Sequence, residues 1–179
     1  MKIVKLLRTL SLSLLSLLGV SCATETAIPT AKNVDIKRYM GTWYEIARYE
    51  NSFQKGLKNS SAQYILNDDG TVTVLNSGED ASGKRTSAKG RAYAPNKGDF
   101  SKLRVSFFWP FYGDYYILDI DDKYSWVLVG GRDKSYLWIL SRTPTLPQST
   151  IAKILKIAET RGYDTGKLIF NPGSIKDEK

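Results

Sequence analysis

The stretch Asp114-Tyr115-Tyr116-Ile117-Leu118-Asp119-Ile120, then Asp121-Asp122, then Ser125-Trp126-Val127-Leu128-Val129-Gly130 decides the fold. Two short runs rich in β-branched and aromatic residues flank a tight turn, the pattern of an antiparallel hairpin. The same unit recurs outward in both directions. Upstream, strands are predicted at 42–49, 60–66, 71–76, 87–94 and 102–108, and downstream 135–141 follows Gly130-Gly131. The turn clusters Asn67-Asp68-Asp69-Gly70, Ser77-Gly78-Glu79-Asp80 and Pro95-Asn96-Lys97-Gly98 separate the upstream strands. Eight strands joined mostly by tight turns make a meander rather than parallel strands with crossover helices. The expected fold is all-β: an eight-stranded antiparallel up-and-down β-barrel. Closure removes the sheet edges and leaves an interior wide enough for one small ligand. A two-sheet sandwich is the competing architecture.

Beyond the last strand, Pro144 and Pro147 punctuate the chain, and Ile151, Ile154, Leu155 and Ala158 then fall at i, i+3, i+4 and i+7. This apolar stripe, opposed by Lys153, Lys156 and Glu159 and stopped by Gly162, predicts one C-terminal α-helix over 148–161 packed outside the barrel. A short strand is expected at 167–170. The chain has 179 residues, 42% hydrophobic and 12% aromatic, which suits one domain and not a disordered polymer. It contains no histidine, which excludes Ser-His-Asp and Cys-His relays and His-ligated zinc or haem. The single cysteine, Cys22, rules out an intramolecular disulfide. No metal or cofactor is expected. The carboxylate pairs Asp68-Asp69 and Asp121-Asp122 sit in turn sequences and read as solvated turn-formers, so no catalytic residue is assigned.

Residues 1–21 read as a signal peptide: basic Lys2, Lys5 and Arg8, then a Leu-rich apolar run interrupted by Ser11, Ser13 and Ser16. The run is shorter than the ~20 apolar residues that span a bilayer. Its end, Leu17-Leu18-Gly19-Val20-Ser21-Cys22, resembles the bacterial lipobox, with Gly19 where that pattern usually has Leu. The resemblance implies cleavage before Cys22 and acylation of its thiol, with two or three acyl chains holding firmly to a membrane. Ala23 after the cysteine leans toward the outer membrane. Loss of the three basic leader residues lowers the formal charge from +8 to +5. That excess suits an anionic membrane surface, and no motif supports nucleic-acid binding. Residues 22–34 are expected to be the lipidated cysteine and a tether, 35–172 the barrel with its helix, and 173–179 a tail.

The first strand contains Gly41-Thr42-Trp43-Tyr44-Glu45-Ile46-Ala47-Arg48. This Gly-x-Trp segment, Asp121…Tyr124 after the sixth strand, and Arg142 after the eighth resemble the three signatures of the lipocalins. In the second signature Ile120 replaces Thr and Asp122 replaces the first Tyr. Lys55-Gly56-Leu57, Val105-Ser106-Phe107-Phe108, Pro110-Phe111-Tyr112-Gly113 and Tyr136–Pro144 extend the resemblance to bacterial outer-membrane lipocalins, in the apolipoprotein D-like branch. It covers about residue 35 to 170 and implies a closed barrel floor built by Gly41, Trp43, Asp121, Tyr124 and Arg142, with Arg142 lying across Trp43. It also implies a fatty acid or lysophospholipid as ligand.

Strand alternation supplies the inward-facing sets. These are Ala62, Tyr64 and Leu66; Val72, Val74 and Asn76; Leu103, Val105 and Phe107; and Tyr136, Trp138 and Leu140. On the first strand Trp43, Glu45, Ala47 and Tyr49 share a side, with Glu45 an unwelcome charge. Ala47, Tyr64, Val74, Asn76, Val105, Phe107, Tyr112 and Trp138 are the candidate ligand-binding residues, and Tyr112, Asn76 or Lys55 could meet a polar head. The open mouth should be formed by loops 50–59, 77–86, 108–113 and 131–134. Phe108-Trp109-Pro110-Phe111-Tyr112 is uncharged and reads as core, ligand lid or lipid wedge. Three functions compete: a lipid-anchored, non-enzymatic carrier of one amphiphile for storage, transport or scavenging at the envelope; an enzyme acting on a bound lipid; and an interaction module with a filled barrel. A homodimer is compatible with all of them.

Overall fold

The computed structural model describes residues 28–177, so the leader and Cys22 lie outside the described residues. Eight strands follow one another: β1 (Gly41–Tyr49), β2 (Lys58–Leu66), β3 (Val72–Glu79), β4 (Arg85–Tyr93), β5 (Lys102–Phe108), β6 (Phe111–Ile120), β7 (Trp126–Gly130) and β8 (Leu137–Ser141). Each pairs antiparallel with the next, and β1 pairs back onto β8, with Tyr44 opposite Ser141 and Arg48 opposite Trp138. The barrel is therefore closed, as the meander predicted. The sandwich alternative is excluded.

Period-two alternation divides the apolar residues between two cores. Trp43, Tyr64, Val74, Val127, Val129 and Leu140 belong to the inner one. The outer one joins Leu118, Leu128, Leu137 and Ile139 to helix α2 (Gln148–Thr160) through Ile151, Ile154 and Ala158. Ile154 and Ala158 are fully buried, so this stripe does what its spacing predicts. Gly162, at φ +77°, ends the helix in the left-handed region, and the next N–H, of Tyr163, donates to Ala158 O.

Two boundaries differ from expectation. Residues 28–34, assigned to the tether, run along the body: Ala31 N–H donates to Ile117 O, and Val34 is buried in the inner core. The presumed tail from 173 begins as structure, because Ser174 is buried and Ile175–Lys176 pairs in parallel with Leu146–Pro147. Isolated two-residue pairings leave no periodicity for a sequence to display. The predicted strand at 167–170 is present as Leu168–Phe170. Ala47 pairs with Phe170 on one edge and Ile139 on the other, so this strand occupies the edge of β1 that β2 leaves.

Candidate functional site

The closed end is built from the signature residues. A one-turn helix, α1 (Ile36–Tyr39), is capped by Asp35, whose carboxylate accepts from Lys37 and Arg38 N–H. It places Tyr39 against Trp43, with ring centroids 5.1 Å apart, and Trp43 Nε1 donates to Tyr39 O at 2.8 Å. The Arg142 guanidinium sits 3.8 Å from the Trp43 ring centroid. It also donates to the carbonyls of Thr42, Arg38, Tyr39 and Met40. Gly41 has φ +95°, and a Cβ there would come within 3.3 Å of Arg142 Nη1. The positive φ favours glycine, and a Cβ would in addition press on the Arg142 guanidinium. Opposite, Asp121 accepts from the N–H groups of Ser125 and Trp126. Burial favours its neutral acid, but these bonds outweigh that and hold the carboxyl below the usual carboxylate value. Tyr124 takes φ +57°, accepts from Asp35 N–H at 2.7 Å and lies under Arg38 at 4.1 Å. All five expected floor residues meet at this end. Arg38 and Tyr39, which complete it, carry no motif by which the sequence would disclose them.

Above the floor, Tyr39, Tyr64 and Tyr115 join their hydroxyls in a chain, 2.6 Å and 2.9 Å apart. Burial pushes all three phenols up, Tyr64 to about 12, so they are neutral donors at physiological pH. Two mutual bonds use two of three hydroxyl protons, which leaves one donor in the lower lumen.

The lumen wall carries Tyr64, Val74, Asn76, Val105, Phe107 and Trp138, six of the eight candidate ligand residues. Phe107 lies over Gly90, where a Cβ would come within 2.8 Å of its ring. Ala47 does not belong. A bulge between Glu45 and Ala47 reverses the alternation, so Ile46, Ala47 and Tyr49 pack in the outer core while Arg48 turns inward. Tyr112 does not belong either. It stacks edge-on against Tyr93 at 5.3 Å, on the face of the wall opposite Ala92 and Gly113. Its place within an uncharged loop hides that parity.

The bulge also explains the charge on β1. Glu45 Oε1 accepts from Arg48 Nη1 at 2.5 Å, both side chains being buried, and Glu45 Oε2 accepts from Gln54 Nε2. Gln54 Oε1 in turn accepts from Trp138 Nε1, and Arg48 Nη2 donates to the carbonyls of Gln54 and Leu57. This ladder fastens the β1–β2 loop across the upper lumen. Around it three buried polar atoms have no hydrogen-bond partner: Arg48 Nε, Ser60 Oγ and Asn76 Oδ1. They lie on β1, β2 and β3 in one corner. Leu57, which binds Arg48, and Ser60 Oγ both crowd the space above Gly78, two residues from Asn76. A buried polar atom without a partner is costly, about 1–3 kcal/mol, unless something completes it. Among the described residues no group of three or more acidic, Cys or His side chains is placed to hold a metal.

A lipocalin-like domain family matches residues 34–173 of the chain. Outer membrane lipoprotein Blc of Escherichia coli K12 is 40% identical over 176 residues, 95% of this chain and 99% of that protein. Temperature-induced lipocalin-1 of Arabidopsis thaliana is 42% identical over 152 residues, covering 80% of this chain and 81% of its own length. Among solved structures, insecticyanin from the tobacco hornworm Manduca sexta superposes with a TM-score of 0.66 at 18% identity, covering 84% of this chain and 90% of that one. At that identity the likeness concerns the fold alone.

Proposed function

The chain belongs to the lipocalin family, and from that footing we propose that it carries one amphiphile, a fatty acid or a lysophospholipid, with the hydrocarbon chain inside the barrel. Binding a hydrophobic ligand is the family's general trade, as a carrier rather than a catalyst. One contrast supports this reading here. Leu118, Leu128, Leu137 and Ile139, on the outside under the helix, have no exposed surface, whereas Asn76, Val105, Phe107, Tyr115 and Trp138, which face inward, are only half-buried. Inward-facing side chains that keep accessible surface inside a closed wall support a lumen with room beside the fully buried inner layer of Trp43, Ile117, Val127 and Val129. Its lining is apolar and aromatic, which favours an acyl chain at ~25 cal/mol per Å² removed from water. Arg48, Ser60 and Asn76 offer donors and an acceptor to the head group. The signal-like leader and Cys22, together with a relative named as an outer membrane lipoprotein, support acylation and an outer-membrane location.

The test is a titration of the mature, Cys22→Ser chain with a lysophospholipid and with a long-chain fatty acid, followed by tryptophan fluorescence. Saturable one-to-one binding is expected, with the signal diminished in Trp138→Phe. Asn76→Leu should weaken the lysophospholipid several-fold, the equivalent of about 1 kcal/mol for one hydrogen bond. No saturable binding of either amphiphile would overturn the carrier reading and leave an interaction module in its place.

A further inference from the structure

The β5–β6 hairpin, at the open end, carries the most exposed apolar surface of the described residues. Phe108, Trp109 and Phe111 are 79%, 84% and 78% exposed, and no other large apolar side chain exceeds the 56% of Phe53, on the β1–β2 loop across the mouth. Of the three roles open to this loop, core and ligand lid are therefore excluded: the rings point into solvent. Soluble surfaces do not keep three adjacent rings in water without an occupant for them. Trp and Phe favour the boundary between lipid chains and head groups. Lys134, on the flanking β7–β8 loop, and Lys55 and Lys58, on the β1–β2 loop and at the start of β2, are exposed at the same end and supply ammonium groups for lipid phosphates.

The path of the N-terminal segment indicates which lipid surface this is. Asp35 is bonded to Tyr124 at the closed end, Ala31 to Ile117 midway along β6, and Pro29 O accepts from Arg161 just past the end of α2. Two residues on, Tyr163 donates to Gly131 O in the β7–β8 loop of the mouth. Traced back from Asp35, the chain passes Thr30, whose hydroxyl bonds that of Ser101 just before β5, and comes to the end of α2 at Pro29. The six residues from Cys22 to Ile28 reach at most ~20 Å, close to the ~20 Å of strand between Ile117 and Phe111. An acyl anchor at Cys22 is therefore within reach of the mouth.

We propose that the Phe108-Trp109-Phe111 tip inserts into the lipid surface that holds Cys22, so that the mouth opens against the membrane and the ligand passes between bilayer and lumen without crossing water. This rests on the acylation of Cys22 proposed above. The full chain, processed and reconstituted in phosphatidylethanolamine–phosphatidylglycerol vesicles doped with acyl-brominated lipid, tests it. Mass spectrometry reports acylation, and bromine quenching reports tryptophan depth. Vesicle-bound, acylated protein should show a quenched tryptophan component that disappears in Trp109→Phe. The same component should shrink in Phe108→Ser/Phe111→Ser, two solvent-exposed changes whose folding circular dichroism checks. Acylated, vesicle-bound protein with unquenched Trp109 would overturn the insertion and leave the anchor standing. An unmodified Cys22 with no vesicle association would overturn both. Concentration-dependent pairing without lipid, abolished by the serine variant, would give the tip to a second copy and overturn the membrane assignment.

Discussion

At the scale of single residues, the Glu45–Arg48 pair carries the most consequence for the least sequence signal. Both charges are buried, and each is bonded through Gln54 to the loop above the lumen. Removing one partner of such a pair leaves an uncompensated charge, so Glu45→Ala should destabilise the protein by about 3–5 kcal/mol in urea unfolding. The double change Glu45→Leu/Arg48→Met should recover much of that loss. A double variant as unstable as the single one would mean that the pair's bonds to Gln54 and Asn171, rather than its charges, hold this corner. Glu45 looks out of place on an alternating strand only because alternation assumes an unbroken ladder. One extra residue in β1 exchanges inside for outside, sending Ala47 beneath the outer core and bringing Arg48 in.

At the scale of elements, the two faces of the wall have separate duties. The outer face under α2 is closely packed at its centre, where Leu118, Leu128, Ile139 and Ile154 have no exposed surface. Ile154→Ala should cost about 2–5 kcal/mol in thermal or denaturant unfolding while leaving the amphiphile affinity of the folded fraction unchanged. A large affinity loss at full folding would show that the helix governs the lumen. The helix is legible from its 3.6-residue stripe, and the hairpins from their turn clusters, because both are local patterns. Tyr112 escapes such a reading for the opposite reason. The β5–β6 ladder shifts register between Val105 and Phe108, and nothing in an uncharged aromatic loop discloses where such a shift falls.

At the scale of the whole molecule, the barrel is held at both ends by groups whose protonation matters. Burial pushes Tyr39 and Tyr115 up, and Tyr64 and Tyr163 to about 12, against an ordinary value of 10. The native state thus keeps phenol protons that the unfolded chain releases above pH 10. Stability should be unaffected below that value and fall as pH climbs toward 12, by a few kcal/mol in total, since each tenfold gain in a phenol's proton affinity on folding is worth on the order of 1.4 kcal/mol. Unfolding midpoints measured through this range should decline, and Tyr64→Phe should flatten the decline. A midpoint independent of pH there would show that the phenols titrate as freely in the barrel as outside it. The number and order of the barrel strands and the outer helix were determined by the sequence alone, since each is written as a local period or a turn, while the five floor residues were indicated by their likeness to family signatures. Which residues line the lumen was decided only by tertiary structure. Bulges and register shifts set the inward face of β1 and β6, and the three-tyrosine chain and the unpartnered atoms of Arg48, Ser60 and Asn76 come from strands that meet only when the barrel closes.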